Sequence, residues 1–362
     1  MHDPPGGGAM PGLLPLAEVI SELELGLPPH GDAGFLGARL DPTEAALLLI
    51  PVPWEATTSY GGGTSRAPEA IVRASHQLDL EDPVFGTPYR AGIAFAPRDR
   101  AMIELNARAR GAALEVIAGL ERGAAAPGAL ALVNAAGAEV NAHVHAAAVA
   151  ALDRGRLAAV VGGDHSSPYG LLQALAERHP DGFGVLHVDA HHDLRAAYEG
   201  FTWSHASIFH NVMETLPQVR RLVQVGIRDY SRAERQYAQS LGGRGACFYG
   251  AELFRLKAEG VPFRDVCARI IGGLPGKVYV SFDIDGLDPS CCPSTGTPVP
   301  GGLSFDEAAY LLESLAAAGR RVIGLDLCEV APGDDGDEWD ANVGARLLYK
   351  LCGCCLRSQG LC

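Results

Sequence analysis

Hydrophobic residues along this chain fall into short runs of the strand type, and these alternate with longer stretches of the helical type. Strands are predicted at 45–52, 157–161, 184–188, 222–226, 277–282 and 322–327. Helices are predicted near 67–75, 100–121, 138–152, 169–178, 263–271, 305–318 and 339–351. This alternation is typical of a mostly parallel sheet with helices on both faces. The pattern therefore predicts an α/β protein with a three-layer α/β/α architecture.

The same alternation predicts the domain organisation. No polar linker interrupts it, so residues 43–352 are expected to form a single domain. Residues 1–42 are rich in Gly and Pro, apart from one amphipathic stretch near 14–27, and are interpreted as an N-terminal extension. Residues 353–362 are interpreted as a C-terminal tail. A chain of 362 residues can bury an ample core without a disulfide or a structural metal.

Charge and cysteine usage restrict the partners and the location. Acidic side chains outnumber basic ones by 43 to 29, a net charge of −14 that repels nucleic acid and anionic lipid surfaces. No apolar run approaches the roughly 20 residues that span a bilayer. The nine cysteines suit neither a disulfide framework nor a zinc site, and the group at 352–355 is expected in the core. We therefore expect a cytoplasmic protein without nucleic-acid or membrane partners.

Metal-binding residue types follow three of the predicted strands. The segments are Gly-Gly-Asp-His-Ser at 162–166, Asp-Ala-His-His-Asp at 189–193 and Asp-Ile-Asp at 283–285. In extended backbone, residues two apart point to the same side, so these side chains can face one cavity beyond the strand ends. Four carboxylates and two imidazoles would repel one another without cations, and two divalent ions suit this nitrogen and oxygen set. The residues predict a binuclear metal centre.

Each segment also has an ordinary structural explanation. Asp164 and Ser166 could cap a helix, 189–193 could be an acidic turn, and 283–288 could be a loop stabilised by its Asp side chains. These explanations would have to hold at three equivalent strand ends. Seven of the twelve histidines also lie between His165 and His210. Metal binding is therefore the favoured interpretation.

The three segments resemble the signature motifs of the ureohydrolases, the family that includes arginase and agmatinase. The third motif extends as Ser-Phe-Asp-Ile-Asp-Gly-Leu-Asp-Pro over 281–289. The likeness begins near Pro51, where 61–69 resembles the agmatinase branch, and it continues to Glu329 and the final helix. The resemblance implies an arginase-like fold, a homo-oligomer (trimer or hexamer) and hydrolysis of a small guanidino compound to urea.

The resemblance also implies a metal ligand set. Two divalent ions per subunit are expected, Mn²⁺ in most family members and Ni²⁺ in some relatives. Two aspartates would bridge the ions, and the remaining ligands would complete each site. The bridging pair is Asp189 and Asp283, the first ion is completed by His165 and Asp193, and the second is completed by His191 and Asp285.

Three catalytic roles follow from the resemblance in the same way. Water activated by the two ions would attack the guanidinium carbon, with Asp193 accepting its hydrogen bond. His205 stands where relatives place a histidine that passes a proton to the departing nitrogen, and its reference pKa suits that task. Glu329 would pair with the guanidinium, because a carboxylate can accept two parallel N–H bonds from that planar cation.

The substrate tail is the least determined feature. Residues 194–207 do not match the arginase loop that selects a free amino acid, and 198–203 departs from the pattern of common agmatinases. This segment and 53–60 look more like relatives that hydrolyse free guanidine. Phe201 or Trp203 would then bind the substrate as an aromatic wall that fills the space of an alkyl tail. Free guanidine is the first substrate hypothesis, and agmatinase or guanidinobutyrase activity is the alternative.

Two other function classes stay open. A deacetylase-like site with a single zinc would use Asp189, His191 and Asp283, but it leaves half of the proposed ligands without a role. A metal-containing partner subunit without activity is the non-enzymatic alternative, since a fold does not guarantee activity. Loss of a ligand or of Glu329 would indicate such a subunit, and every one of these positions is filled.

Overall fold

The computed structural model describes residues 12–29, 33–333 and 337–362. Within these ranges a single sheet of eight parallel strands forms the centre of the fold, in the spatial order β2-β1-β3-β8-β7-β4-β5-β6. The strands are β1 Leu47–Val52, β2 Ile93–Phe95, β3 Leu157–Gly162, β4 Phe183–Val188, β5 Val219–Val225, β6 Gly245–Phe248, β7 Lys277–Asp283 and β8 Arg321–Cys328. The last strand therefore lies in the middle of the sheet.

The strands are connected and covered by α-helices. These are α1 Leu16–Glu24, α2 Ala67–Ser75, α3 Arg100–Glu121, α4 Pro127–Leu152, α5 Tyr169–Arg178, α6 Ile208–Thr215, α7 Arg232–Ser240, α8 Gly250–Ala258, α9 Phe263–Gly272, α10 Phe305–Ala317 and α11 Trp339–Ser358. None of them, in the part of the chain that the structure describes, is long and apolar enough to cross a membrane.

Side chains of the strands alternate between two hydrophobic clusters, one on each face of the sheet. On β3, for example, Val161 belongs to the first cluster and Val160 to the second. Residues of α2 and α8–α11 pack in the first cluster, and residues of α3–α7 pack in the second. Because both faces are covered, the central strands are mostly apolar. The predicted three-layer α/β/α architecture is confirmed.

All six predicted strands are present, with ends within three residues of the prediction. The pattern misses the edge strands β2 and β6, which have three and four residues. It also misses α6, α7, α8 and the first part of α4, which begins at Pro127. That part of α4 is rich in Ala and Gly, so its amphipathic signal is weak, although Pro at the first helical position is a common start.

Both ends of the predicted domain are structured beyond the proposed boundaries. Residues 1–11 and 30–32 of the predicted N-terminal extension lie outside the described residues, but α1 lies within it, and its Val19 packs with Leu40 against the sheet edge. At the other end, α11 passes residue 352 and runs to Ser358. It buries Cys354 and Cys355, so the expectation that this cysteine group belongs to the core is confirmed.

Candidate metal centre and substrate cavity

Four of the predicted site residues, three metal ligands and the substrate carboxylate, lie at the ends of four neighbouring strands in the middle of the sheet. His165 follows β3, Glu329 follows β8, Asp283 ends β7 and Asp189 follows β4. The carboxyl ends of parallel strands meet at one edge of a sheet, so residues that are far apart in sequence come together there. All four side chains are buried.

The first group of donor atoms surrounds His165. Its Nδ1 lies 3.1 Å from Asp189 Oδ2, 3.1 Å from Asp193 Oδ2 and 3.2 Å from Asp283 Oδ2. The other ring nitrogen, Nε2, lies 2.9 Å from Ser281 Oγ. One imidazole nitrogen and three carboxylates therefore face one another, and this donor set suits a divalent ion of borderline character.

The second group of donor atoms surrounds His191. Its Nδ1 lies 3.0 Å from Asp285 Oδ2 and 3.5 Å from Asp189 Oδ1. Asp189 thus offers one oxygen to each group, as a bridging ligand requires. The structure brings all six predicted ligands together, and their donor atoms fit two divalent ions.

Charge in this cluster explains why cations suit it. Burial would lower the pKa of His191, but the charges of Asp285 and Asp189 outweigh it and raise the pKa to about 12. Burial and the neighbouring Asp189 raise the pKa of Asp193 to about 7. Burial, Asp285 and Asp189 also raise the pKa of Asp283 well above its usual range. Protons compensate the crowded carboxylates, and metal ions can replace those protons.

The backbone near the ligands adopts uncommon conformations. Asp193 and Glu329 have φ angles of 55° and 62°, in the left-handed region that residues other than glycine rarely occupy. Gly163 approaches Trp54, two residues beyond β1, so closely that a Cβ atom there would lie 1.7 Å from the Trp54 carbonyl oxygen. The Glu329 N–H donates to the Gly163 carbonyl at 2.9 Å. Close packing between strand ends therefore places Glu329 beside the ligands.

Glu329 is itself buried, and its carboxylate is partly used inside the protein. Its Oε1 accepts a hydrogen bond from the His165 backbone N–H at 2.9 Å. Burial, together with the charge of Asp164, raises the pKa of Glu329 well above its usual range. Oε2 accepts no hydrogen bond from the residues that the structure describes. That oxygen can therefore accept one from a cationic ligand.

A cavity of about 290 Å³ opens beside the second donor group. This volume is near the lower end for small-molecule sites. Three predicted site residues line it, and most of the remaining lining is polar. The predicted residues are His191, Asp193 and His205, and the others are Ser59, Arg195, Tyr198, Ala206, Asp229, Tyr230, Ser231, Glu234 and Thr297.

His205 lies in the cavity wall, with its ring edge-on to Tyr198 at 5.7 Å between centroids. Its buried Nδ1 has no hydrogen-bond partner among the described residues. Burial lowers the pKa of His205 to about 4, and the positive charges of His191 and His165 contribute to the shift. The ring is therefore neutral near pH 7, in the form that can accept a proton.

The predicted aromatic wall does not line the cavity. Phe201 is fully buried in a hydrophobic cluster with residues of α3 and α4, and the Trp203 ring packs on Tyr169 with 4.8 Å between centroids. The physical reason is that residues 198–201 turn back through paired backbone hydrogen bonds, which direct the following apolar rings towards these helices. The aromatic rings that do line the cavity are Tyr198 and Tyr230.

Several polar residues behind the ligands were missed by the sequence prediction. His187 Nε2 lies 2.7 Å from Asp189 Oδ2, and Gln224 Nε2 lies 2.9 Å from His187 Nδ1. Arg228 donates to the backbone carbonyl of Asp285 at 2.6 Å. The sequence does contain features that indicate two of these residues. His187 precedes Asp189 by two positions, on the same face of the strand, and Gln224 is a polar residue within an apolar run.

Comparison with known proteins gives consistent matches. A model of the arginase family matches residues 45–353. The chain is 34% identical over 311 residues to N(1)-aminopropylagmatine ureohydrolase of Thermus thermophilus, covering 86% of this chain and 90% of that protein. It is 34% identical over 203 residues to guanidinobutyrase of Pseudomonas aeruginosa, covering 55% and 61%. The crystal structure of agmatine ureohydrolase of Thermoplasma volcanium shares the fold, with a TM-score of 0.67, 23% identity and coverage of 88% and 93%.

Proposed function

This chain belongs to the arginase family of ureohydrolases, which are hydrolases of guanidino compounds, and we propose that its own substrate carries a cationic tail. The products would be urea and the corresponding amine. The relative from Thermus thermophilus supports this, because its name describes a substrate with an aminopropyl group. The agmatinase alternative is therefore favoured over free guanidine. The observation that carries the proposal is the charge of the cavity lining, above all at Asp229.

Among the charged side chains that line the cavity, Asp229 is the one without an ion-pair partner in the part of the chain that the structure describes. Arg195 forms an ion pair with Glu234 at 3.4 Å, and its guanidinium lies over the Tyr198 ring at 4.9 Å. Asp229, which is exposed, makes no ion pair or side-chain hydrogen bond with the residues that the structure describes. Its backbone N–H donates to Ala190 at 3.1 Å, which fixes it beside the second donor group. A cationic tail would balance this carboxylate.

The size and the aromatic lining of the cavity agree with a tailed substrate. Free guanidine has only four non-hydrogen atoms and would leave most of the 290 Å³ unfilled. Phe201 and Trp203 do not occupy this space, because both rings pack elsewhere. Tyr230 also lines the cavity, and ammonium groups bind favourably over aromatic rings.

The proposed reaction assigns a task to each remaining residue. Two divalent ions, Mn²⁺ or Ni²⁺, would be held by the six ligands and would lower the pKa of water for attack on the guanidinium carbon. Glu329 Oε2 would bind the guanidinium and orient it. Asp193 would accept a hydrogen bond from the attacking water. His205 would take up a proton and deliver it to the departing nitrogen, so that the tail leaves as a neutral amine.

Urea release from a matched substrate set tests this proposal. Enzyme reloaded with Mn²⁺ or Ni²⁺ is assayed with agmatine, N(1)-aminopropylagmatine, 4-guanidinobutyrate and guanidine. We expect the highest kcat/KM with a cationic tail. Asp229→Asn should raise KM for the cationic substrates about tenfold, the loss of roughly 1.4 kcal/mol of binding. KM for 4-guanidinobutyrate, which has an anionic tail, should stay the same or decrease.

Asp306→Asn is the matched control, because it removes an exposed carboxylate from the first turn of α10, outside the cavity lining. It should change none of the constants. Faster turnover of guanidine than of the tailed substrates would contradict the proposal, and so would an equal effect of Asp229→Asn on all tails. No urea from any substrate would favour the metal-containing partner subunit.

We also propose that the protein is a cytoplasmic homo-oligomer, a trimer or a hexamer. The resemblance to the family supports the assembly, and the cysteine usage supports the location. Light scattering on the purified protein and fractionation of the source cells test these two statements. A monomer in solution would contradict the first, and recovery outside the cytoplasm would contradict the second.

A further inference from the structure

A chain of polar side chains leads away from Asp189 into the protein. Asp189 Oδ2 lies 2.7 Å from His187 Nε2, and His187 Nδ1 lies 2.9 Å from Gln224 Nε2. Gln224 Oε1 then lies 2.7 Å from His192 Nδ1. At the far end, His192 Nε2 lies 3.4 Å from the Tyr249 hydroxyl. The four inner side chains are buried, so each hydrogen bond is costly to lose.

One backbone carbonyl determines the direction of every bond in this chain. Gln224 Nε2 lies 2.8 Å from the carbonyl oxygen of His192, and only the NH₂ end of an amide can face a carbonyl. The same NH₂ group faces His187 Nδ1, so that nitrogen must be an acceptor. A neutral imidazole with an acceptor at Nδ1 carries its proton at Nε2. His187 is therefore a hydrogen-bond donor to Asp189.

This direction has a consequence for the metal centre, because His187 stands within ligand distance of it. His187, His165, Asp189 and Asp193 offer donor atoms that all lie within 4.8 Å of one another. An imidazole nitrogen binds a metal through its lone pair, and the Nε2 of His187 has a proton in that place. His187 thus cannot join the ligands while Gln224 holds its other nitrogen.

We infer that Gln224 is a positioning residue of the metal centre: it holds His187 as a donor to Asp189, which orients the shared carboxylate and keeps His187 out of the ligand set. This inference rests on the proposed metal function. Ring packing supports the arrangement. The ring centroids of Phe209 and His187 are 4.1 Å apart, so Phe209 restricts the orientation of the His187 ring. Hydrogen-bond partners of ligating groups commonly determine metal affinity in this way.

Metal affinity of the whole protein tests the inference. Gln224→Met has a similar shape but removes the amide. The Kd for Mn²⁺, measured by competition with a chelator, should rise about 10- to 100-fold. Val223→Ala is the matched control, because it lies next to Gln224 on β5 and belongs to the opposite hydrophobic face. It should lower the melting temperature through a cavity and leave the Kd within about twofold.

Tyr249→Phe removes only the outermost and longest link, so its Kd should stay within about threefold of wild type. Tight Mn²⁺ binding by wild type combined with an unchanged Kd in Gln224→Met would overturn the inference, and so would an equal loss in Val223→Ala. Because the readout is affinity, a protein that binds metal without releasing urea would fail the proposed function and still test this inference. A wild type that binds neither Mn²⁺ nor Ni²⁺ would contradict both.

A spectroscopic measurement keeps the inference testable if Gln224→Met does not fold. Wild-type protein with ¹⁵N-labelled histidine is loaded with diamagnetic Zn²⁺, and the His187 signals are assigned by their loss in His187→Gln. We expect a proton on Nε2, slow exchange with water and no metal bound to either nitrogen. A proton on Nδ1, or a Zn²⁺-bound ring, would overturn the inference.

Discussion

At the scale of single residues, the site concentrates features that most of the chain avoids. Asp193 and Glu329 both have positive φ angles, and each such non-glycine residue costs of order 1–3 kcal/mol. Both carboxylates are buried in addition. Interactions with the surrounding strand ends must therefore offset the cost of these backbone conformations and of burying the two carboxylates. A site of this kind is pre-organised, because its conformations are fixed before the substrate arrives.

His205 allows a direct test of catalysis at this scale. His205→Ala should lower kcat on the preferred substrate by about 10²- to 10⁴-fold, because the departing nitrogen loses its proton donor. The metal content should not change, since His205 belongs to neither donor group. Urea release and metal analysis on the same preparation measure both quantities.

His210→Ala is the control for this variant. His210 lies five residues further along, in α6, and its ring packs on Tyr237 with 4.7 Å between centroids and does not line the cavity. It should retain kcat within about threefold, as expected of a residue with no contact to the reacting atoms. An equal loss of activity in the two variants would argue against a proton transfer by His205.

Single residues also differ in how far the sequence predicts them. Five of the six proposed metal ligands, all except His165, lie two residues apart at the ends of apolar strands, so local geometry predicts that these five face one cavity. The chemistry of Phe201 and Trp203 predicts the cavity wall, but packing of Phe201 against α3 and α4 and of Trp203 against Tyr169 of α5 decides where their rings lie. Asp229 follows β5, and nothing in its local sequence distinguishes it from an ordinary loop carboxylate.

At the scale of elements, the cavity depends on a helix that does not line it. Asp340 in the first turn of α11 accepts a hydrogen bond from the Ser294 N–H at 2.8 Å. One residue further, Thr295 Oγ1 donates to the Glu329 carbonyl at 2.7 Å. The segment then continues to Thr297 in the cavity lining. Helix α11 therefore holds the segment that connects Glu329 with the substrate space.

This anchor predicts a pH-dependent stability. Burial raises the pKa of Asp340 to about 6, above its unfolded value of 3.8, so wild type should lose stability as the pH rises from about 4 to 7. Asp340→Asn keeps an acceptor for Ser294 without the charge. It should therefore raise the free energy of unfolding at pH 7 by about 1–3 kcal/mol, since one pKa unit is worth 1.36 kcal/mol.

Urea denaturation of wild type and Asp340→Asn at pH 4.5 and pH 7.5 measures this effect. The gain should fall to about a third at the lower pH, and it would vanish only well below pH 3.8, where the wild-type carboxyl is protonated in the unfolded state as well. A difference that is the same at both pH values would show that the charge of Asp340 is not its cause.

Elements in the centre of the sheet are the ones that the sequence predicts well. Strands β3, β4, β7 and β8 are buried on both faces and give continuous apolar runs. The edge strands β2 and β6 are short, and β6 is half-exposed, so their signals do not differ from those of loops. The order of strands in space does not follow from the pattern, because it is decided by connections between distant segments.

At the scale of the whole molecule, the acidic charge has two parts. Most of the net charge of −14 lies at the surface, whereas Asp189, Asp193, Asp283 and Asp285 are buried in one cluster. Surface charge is screened by salt, whereas charge in a buried cluster is screened much less. The overall acidity favours the approach of cationic substrates. If the buried cluster binds the proposed ions, the stability of the folded state depends on them.

Removal of metal should therefore destabilise the entire fold. An ion present at 100 times its Kd contributes about 2.7 kcal/mol per site to the free energy of unfolding. Calorimetry should give a lower melting temperature after exhaustive chelation, and added Mn²⁺ should restore it. Asp285→Asn should reduce the difference in melting temperature between the metal-loaded and the metal-free protein, because it weakens one donor group. An identical melting temperature with and without metal would contradict the assigned ligands.

The position of β8 between β3 and β7 has a consequence for synthesis of the protein. A ribosome makes β8 after the other seven strands, yet this strand separates two of the segments that carry ligands. A nascent chain that ends before residue 328 therefore cannot form the final arrangement of the centre. Chains of this size commonly fold through intermediates, and pairing of distant strands is slow. Metal capture should thus be a late event, and it can serve as a marker that translation has passed β8.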